Sequence, residues 1–419
     1  MQTAVPSPDL KAPPQAIGVA LRAGLRRVER RGQITAALLI LPLGLFLIVM
    51  FALPLAVMLI KGIEDKDLVQ SFPETTARIR NWDGQALPPA ATIGAFTREL
   101  AAARGTEAMS FVANRLNFDI NGMRSMLLTA ARRLPADAPD PLAALTALDP
   151  RWGESETWGA FKRAASRFTD FYLLAAVDLK RDAVGNILSV GEERAIFRTV
   201  FLRTLWISLL VTVVCLVLGY PVAYLLATQP VAIANILMIL VLLPFWTSLL
   251  VRTTAWVVLL QTEGVVNGLL VWTGLISAPL KLIYNRIGVC ITISHVLLPF
   301  MILPLYSVMK GIGPTTMRAA VSLGAHPFVA FARVYFPQTL HGVVAGSLLV
   351  FISAIGYYIT PALVGGADDQ MVSFFIAFYT NQTLNWGLAA ALGSVLLVAT
   401  LVLYFVYGRL TGDAGPRWG

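Results

Sequence analysis

The sequence predicts an all-α membrane protein: six transmembrane helices, with a large helical extracytoplasmic insertion between the first and the second. Three observations predict it. Of 419 residues, 57% are hydrophobic and only 14% are charged, whereas a soluble chain carries about 25% charged residues. Mean hydropathy is accordingly high, at +0.69. The apolar residues gather into runs long enough for a bilayer of about 30 Å. The charges gather between the first two of those runs, in a segment with helical periodicity.

Residues 1–33 form a polar, Pro-containing tail with six basic and two acidic residues, including Arg22, Arg26, Arg27, Arg30 and Arg31. Positive charge next to a first span places this end in the cytoplasm. The apolar run 34–60 is longer than a signal-peptide core, and no small-residue cleavage pattern follows it. It reads as an uncleaved spanning helix.

Residues 61–196 read as the extracytoplasmic helical insertion. Between Lys61 and Arg194 stand 17 basic and 18 acidic residues. The stretches Thr97–Leu116 and Ser155–Phe168 have helical periodicity, with breaks at Pro135, Pro139, Pro141 and Pro150. Long loops cross a membrane largely regardless of charge, so the basic residues here do not oppose that side.

Residues 197–408 read as a five-helix core. Its spans fall near Phe201–Thr228, Ala232–Leu260, Ile287–Met309, His341–Pro361 and Trp386–Tyr407. Pro221, Pro244, Pro299 and Pro304 lie inside spans and predict kinks. Six spans return the chain to its starting side, so 409–419 is a second cytoplasmic tail. Outside the insertion the chain holds 16 basic and 6 acidic residues. No basic run is interleaved with aromatics, which excludes nucleic acid as the partner of that charge; the partner is the lipid bilayer. Cys215 and Cys290 lie in apolar runs without a CxxC or ligand spacing and read as small buried hydrophobes.

The topology puts a loop at 312–340 in the cytoplasm, and this loop is unusually apolar. From Ala320 to Phe336, twelve of seventeen residues are apolar. MRAAVSL favours a helix, Gly324 stands where a helix needs a left-handed residue after its end, and Pro327 suits the first turn of another. Pro337 opens the next element. Phe328, Phe331, Ala332 and Tyr335 recur at helical spacing and predict one apolar face. Such a face on a cytoplasmic loop marks either a protein interface or a helix lying on lipid.

Few residues carry chemistry. There is no G-x-x-x-x-G-K-[ST], so the chain holds no P-loop for ATP, and no cofactor or metal is expected. His295, His326 and His341 lack ligand spacing, and no HExxH or GxSxG supports a hydrolase. Arg252 lies inside an apolar span with Trp256 one turn on; it lines a path, snorkels outward or pairs with another span. Tyr357 and Tyr358 stack on a cation or belong to the aromatic belt. Glu263, Asp368 and Asp369 near span ends are rim carboxylates or attract a cationic solute.

The loop also resembles the cytoplasmic signature of binding-protein-dependent ABC importer permeases. That signature is Glu-Ala-Ala, three residues, Gly, nine residues, Ile, one residue, Leu-Pro. Ala319, Ala320, Gly324 and Pro337 match it in register, Val334 and Phe336 replace Ile and Leu, and Arg318 stands in place of the Glu. The segments Leu216–Ala227, Leu243–Leu270 and Gly346–Gly366 resemble the spermidine/putrescine-type branch over about residues 197–408. The resemblance implies a transport subunit rather than an enzyme, in the bacterial inner membrane with both termini cytoplasmic. It implies that Arg318, Ala319, Ala320, Gly324, Pro327, Phe328, Phe331 and Pro337 form an ATPase-coupling loop. It implies an ATP-binding subunit dimer, a second permease subunit and an extracytoplasmic solute-binding protein as partners. Arg252, Trp256, Tyr357, Tyr358 and Asp368 are the residues expected along the solute path. Polyamines are the expected solutes, while permeases for iron, opines and phosphonates share the same texture. A stand-alone secondary carrier is the rival reading; it needs intramembrane acids for ion coupling.

Overall fold

A computed structural model of the chain describes residues 35, 38–135, 139–191 and 195–410. The tails 1–33 and 411–419 lie outside them. Among the described residues the protein is built from helices, with one antiparallel hairpin that pairs Leu179–Arg181 with Ile187–Ser189. Six helical stretches are long and apolar enough to cross a membrane: Leu38–Lys61, Phe197–Thr228, Leu249–Trp272, Arg286–Gly311, Pro327–Ile355 and Trp386–Val406.

The first of these stands as a unit of its own up to Ile60. It widens into a π-turn at Ile48–Ala52, where the Leu53 N–H donates to the Ile48 carbonyl. Pro54 follows directly. Its ring has no N–H and would strike the carbonyl one turn back, and a wider turn relieves that clash.

The insertion has its own core. Phe96 is the hub, with its ring 5.1–5.8 Å from the rings of Phe72, Trp152, Trp158 and Phe161. Each large aromatic buried here contributes roughly 5 kcal/mol at most. Two of the four predicted breaks fall at caps: Pro141 is the first residue of Pro141–Leu148 behind an Asp140 cap, and Pro150 opens a short 3-10 turn capped by Asp149. A buried ion-pair network joins distant parts of the insertion. Arg115 donates to Asp65 at 2.5 Å, and Asp119 is shared by Arg115 and Arg163 at 4.0 and 2.8 Å. The Arg115 guanidinium also covers the Phe171 ring at 3.9 Å. Burial disfavours its charge, but the carboxylates beside it outweigh that and hold its pKa above the usual guanidinium value.

The membrane core is a bundle of Phe197–Thr228, Arg286–Gly311 and Phe336–Ile355 packed on one another. Arg286–Gly311 is the central helix, with 61% of its most apolar window buried against 33% for Phe197–Thr228. Glycines set the crossings. A Cβ at Gly346 would stand 2.9 Å from Met301 Sδ, and one at Gly342 would stand 3.2 Å from the Pro304 carbonyl oxygen. Small residues let helix backbones approach where no hydrophobic effect drives them together. Cys215 and Cys290 are buried and free, and the Cys215 thiol donates to the Ser294 carbonyl.

Two span assignments from the sequence change. The stretch 232–260 is not one helix: Val231–Leu242 ends in a 3-10 turn at Leu243–Trp246, Thr247 is extended, and Ser248 caps a new helix at Leu249. The span expected at 341–361 begins earlier, at Phe336, and stops at Ile355 before Gly356.

The insertion is joined to the core through a further apolar cluster. Tyr172 and Ala176 pack with Phe197, Val200, Val372 and Leu388. The Asp178 carboxylate accepts from the Phe197 and Arg198 N–H groups at 3.1 and 2.7 Å, capping the first core helix.

Candidate functional site: a protruding loop and a broken helix

The loop 312–340 folds as two short helices with a sharp bend. Pro314–Ser322 ends with Gly324 at φ +89°. The Gly324 N–H donates to the Val321 carbonyl and the Ala325 N–H to the Ala320 carbonyl, at 2.9 and 3.1 Å. This is the paired bonding of a Schellman end, and glycine adopts its left-handed residue without strain. The next helix starts at Pro327, where the His326 Nδ1 accepts from the Phe328 N–H at 3.3 Å. Pro337 lies in the first turn of Phe336–Ile355.

The bend presents Leu323 and Phe328 outward, 89% and 73% exposed. Arg318, Ala319 and Pro327 are exposed with them, while Ala320 is half-buried. The expected single face of Phe328, Phe331, Ala332 and Tyr335 is not what forms. Phe331–Tyr335 is a π-turn, which winds more slowly than an α-helix and changes the register after Phe328. Phe331 and Tyr335 turn inward and pack edge-on to Tyr224, at 5.8 and 5.4 Å between ring centroids. Phe328 and Ala332 stay outside. Leu323, which helical spacing passes over, is the most exposed apolar residue of the loop.

Arg252 serves the helix break. It donates from Nε to Thr247 Oγ1 at 3.2 Å and from Nη2 to the Thr247 carbonyl at 2.9 Å. Nη2 also donates to the Pro244 carbonyl. These acceptors belong to the turn at the break, where the Thr247 N–H and hydroxyl also donate to the Pro244 carbonyl at 3.3 and 2.8 Å. One turn on, Trp256 Nε1 donates to His295 Nδ1 at 3.1 Å, so the neutral His295 ring carries its proton on Nε2. Arg252 lies within electrostatic reach of both His295 and Tyr357. The structure therefore brings Arg252, Trp256 and Tyr357 to one region and adds His295. An indole N–H in an apolar span needs an acceptor, and that need was the available signal for His295.

Tyr358 and Asp368 are exposed and make no such contact. Asp369 is the engaged carboxylate: it is buried, accepts from Arg286 Nε at 3.3 Å and receives the Gly366 N–H at 3.3 Å. It is a structural pair, not a solvated rim. Glu263 stays exposed.

No family model matches the chain. Relatives do. The chain is 36% identical over 226 residues to the spermidine/putrescine transport system permease protein PotB of Haemophilus influenzae, which covers 53% of this chain and 79% of the relative. The Escherichia coli protein of the same name is 35% identical over 210 residues, 50% of this chain and 76% of its own length. The inner membrane ABC transporter permease protein YdcU of Escherichia coli is 30% identical over 241 residues, 54% and 76% of the two chains.

Proposed function

The chain belongs to the ABC-importer permease family of these relatives, and on that premise we propose that it carries polyamines, with its loop 312–340 docked on an ATPase subunit. It is a multi-pass inner-membrane transport subunit, and ATP hydrolysis falls to another chain. The observation that carries the coupling reading is the loop itself: Leu323 and Phe328 stand out from a bend that Gly324 and Pro327 build. Two large apolar side chains held outward on a built bend suit docking against a partner. The partner set is an ATP-binding dimer, a second permease subunit and an extracytoplasmic solute-binding protein. Both termini face the cytoplasm and the insertion faces outward, where it enlarges the surface offered to a loaded binding protein.

Polyamine specificity is supported by the names of the two PotB relatives and by the aromatic character of the region around the helix break. Trp256 and Tyr357 offer ring faces to an organic cation there, and the exposed Tyr358 offers another outside that region. ATP binding on the partner shifts the permease between inward and outward states through its different affinity for the two.

Two preparations test solute and orientation separately. The permease is reconstituted with its ATPase, second permease and binding protein, and uptake of labelled spermidine is measured. The expected result is ATP-dependent spermidine uptake that excess putrescine competes away and ferric iron or a phosphonate does not. Uptake of iron or phosphonate without spermidine overturns the polyamine assignment. In whole cells, an outside thiol reagent should label Ser110→Cys and not Ala325→Cys; the reverse overturns the orientation.

A further inference from the structure

The short helix Phe171–Ala175 packs through Phe171, Tyr172, Leu173 and Ala175 in one cluster with Phe197 and Leu388, at the starts of two core spans. Phe171 and Leu173, with Leu174, also wall a groove of about 510 Å³ that Ile63, Phe168 and Lys180 line. The groove therefore shares side chains with the cluster at the start of a span. Ile63 itself follows Lys61, the last residue of the first span, by two positions, and its carbonyl accepts from the Thr169 N–H at 2.8 Å. The groove thus stands at the level where lipid headgroups begin.

Its surroundings are apolar where water would be expected. Phe168 is 58% exposed, and Ile187 and Leu188 on the hairpin are 51% and 46% exposed. Ile187 and Leu188 are neighbours on one strand, so they point to opposite faces of the hairpin. A protein docking on one face would cover one of them and leave the other in water. A fluid apolar layer covers both. An isolated two-stranded hairpin is also marginal in water and gains from such a layer.

The unneutralised charge beside it is positive. Among the described residues Lys180 is exposed and has no ion pair, and the Arg167 guanidinium extends over the Phe168 ring at 5.5 Å while 67% exposed beside Glu64. Among the described residues the nearby acids are occupied: Asp170 pairs with Arg181 at 2.6 Å, and Asp182 accepts the turn's Gly185 and Asn186 N–H groups at 2.6 and 2.8 Å.

We propose that the base of the insertion, the hairpin Leu179–Ser189 with Phe168, is immersed in the headgroup layer, with Lys180 and Arg167 on the phosphates of anionic phospholipid. Aromatic and basic side chains favour that layer for the reasons that place them at span ends.

The test uses the assembled transporter in nanodiscs containing phosphatidylglycerol. Nitroxide labels are placed at Ile187→Cys, Leu188→Cys and Phe168→Cys, with Phe111→Cys, another exposed apolar site on the insertion, as the reference. Both native cysteines are buried, so the parent chain supplies the background. The accessibility ratio of oxygen to a water-soluble nickel complex should be several-fold higher at 187, 188 and 168 than at 111. Lys180→Glu with Arg167→Glu should lower the ratio at 187 in these discs and leave it unchanged in discs of phosphatidylcholine alone. Ratios at 187 and 188 equal to that at 111 overturn the proposal. Labels shielded only after a solute-binding protein is added also overturn it, in favour of a protein partner. Three independent label sites keep the test decisive if one variant fails to assemble.

Discussion

Arg252 reaches back across the break at Pro244–Ser248 and donates to the Thr247 carbonyl and to the Pro244 carbonyl, which also accepts from the Thr247 N–H and hydroxyl. Its charge is thereby held inside an apolar region by local backbone, a role that sequence reading cannot separate from pairing with another span or lining a path. Gly324 is a different case, because the sequence states its role outright. Its φ of +89° requires the left-handed region, and a Cβ there meets nothing within 4 Å. The cost of a side chain is therefore conformational, about 1–2 kcal/mol for most residues and less for Asn, which visits that region more readily. Uptake at matched membrane levels should fall in the order Gly324, Gly324→Asn, Gly324→Ala, Gly324→Val. Full uptake by Gly324→Val would remove the bend from the coupling argument.

At the scale of the element, the π-turn Phe331–Tyr335 divides the loop's aromatics into two groups. Phe331 stacks on Tyr335 at 5.6 Å and meets Tyr220 and Tyr224, so it holds the loop to the first core helix. Phe328 is 73% exposed and makes no ring contact among the described residues, so in the proposed reading it is offered to a partner. Phe331→Ala should lower the melting temperature of the purified subunit, since each aromatic pair contributes about 0.5–1.5 kcal/mol beyond its buried area. Phe328→Ala should leave melting unchanged and reduce the ATPase activity that binding protein stimulates in the assembled transporter. An unchanged melting point for Phe331→Ala, or undiminished stimulation for Phe328→Ala, would contradict this division. The turn was not legible in advance because α and π turns differ by one residue of register, and Phe-Ala-Arg-Val-Tyr suits either. The break at 243–248 was more legible: Pro244 followed by Ser248 is a stop and a cap, hidden inside an apolar run that satisfied length alone.

At the scale of the molecule, the insertion and the core meet through Tyr172 on Gly387, where an added Cβ would fall 2.5 Å from the ring. Gly387→Ala should lower the melting temperature, and Tyr172→Ala in the same chain should restore part of the loss. Contacting residues commonly couple by about 0.5–3 kcal/mol, and strictly additive effects would show that the two do not meet. By itself the sequence determined the fold class and the six apolar runs, because hydrophobic length against bilayer thickness is a property of composition along the chain. It determined the bend at Gly324, because a backbone that only glycine adopts freely leaves its mark in one residue. The tertiary structure alone decided which way Phe331 and Phe328 face, what Arg252 and Asp369 bind, that Trp256 meets His295, and where the insertion grips the core. Each of these depends on residues tens of positions apart being brought together, and a side chain's partner across space leaves no periodicity in the chain that carries it.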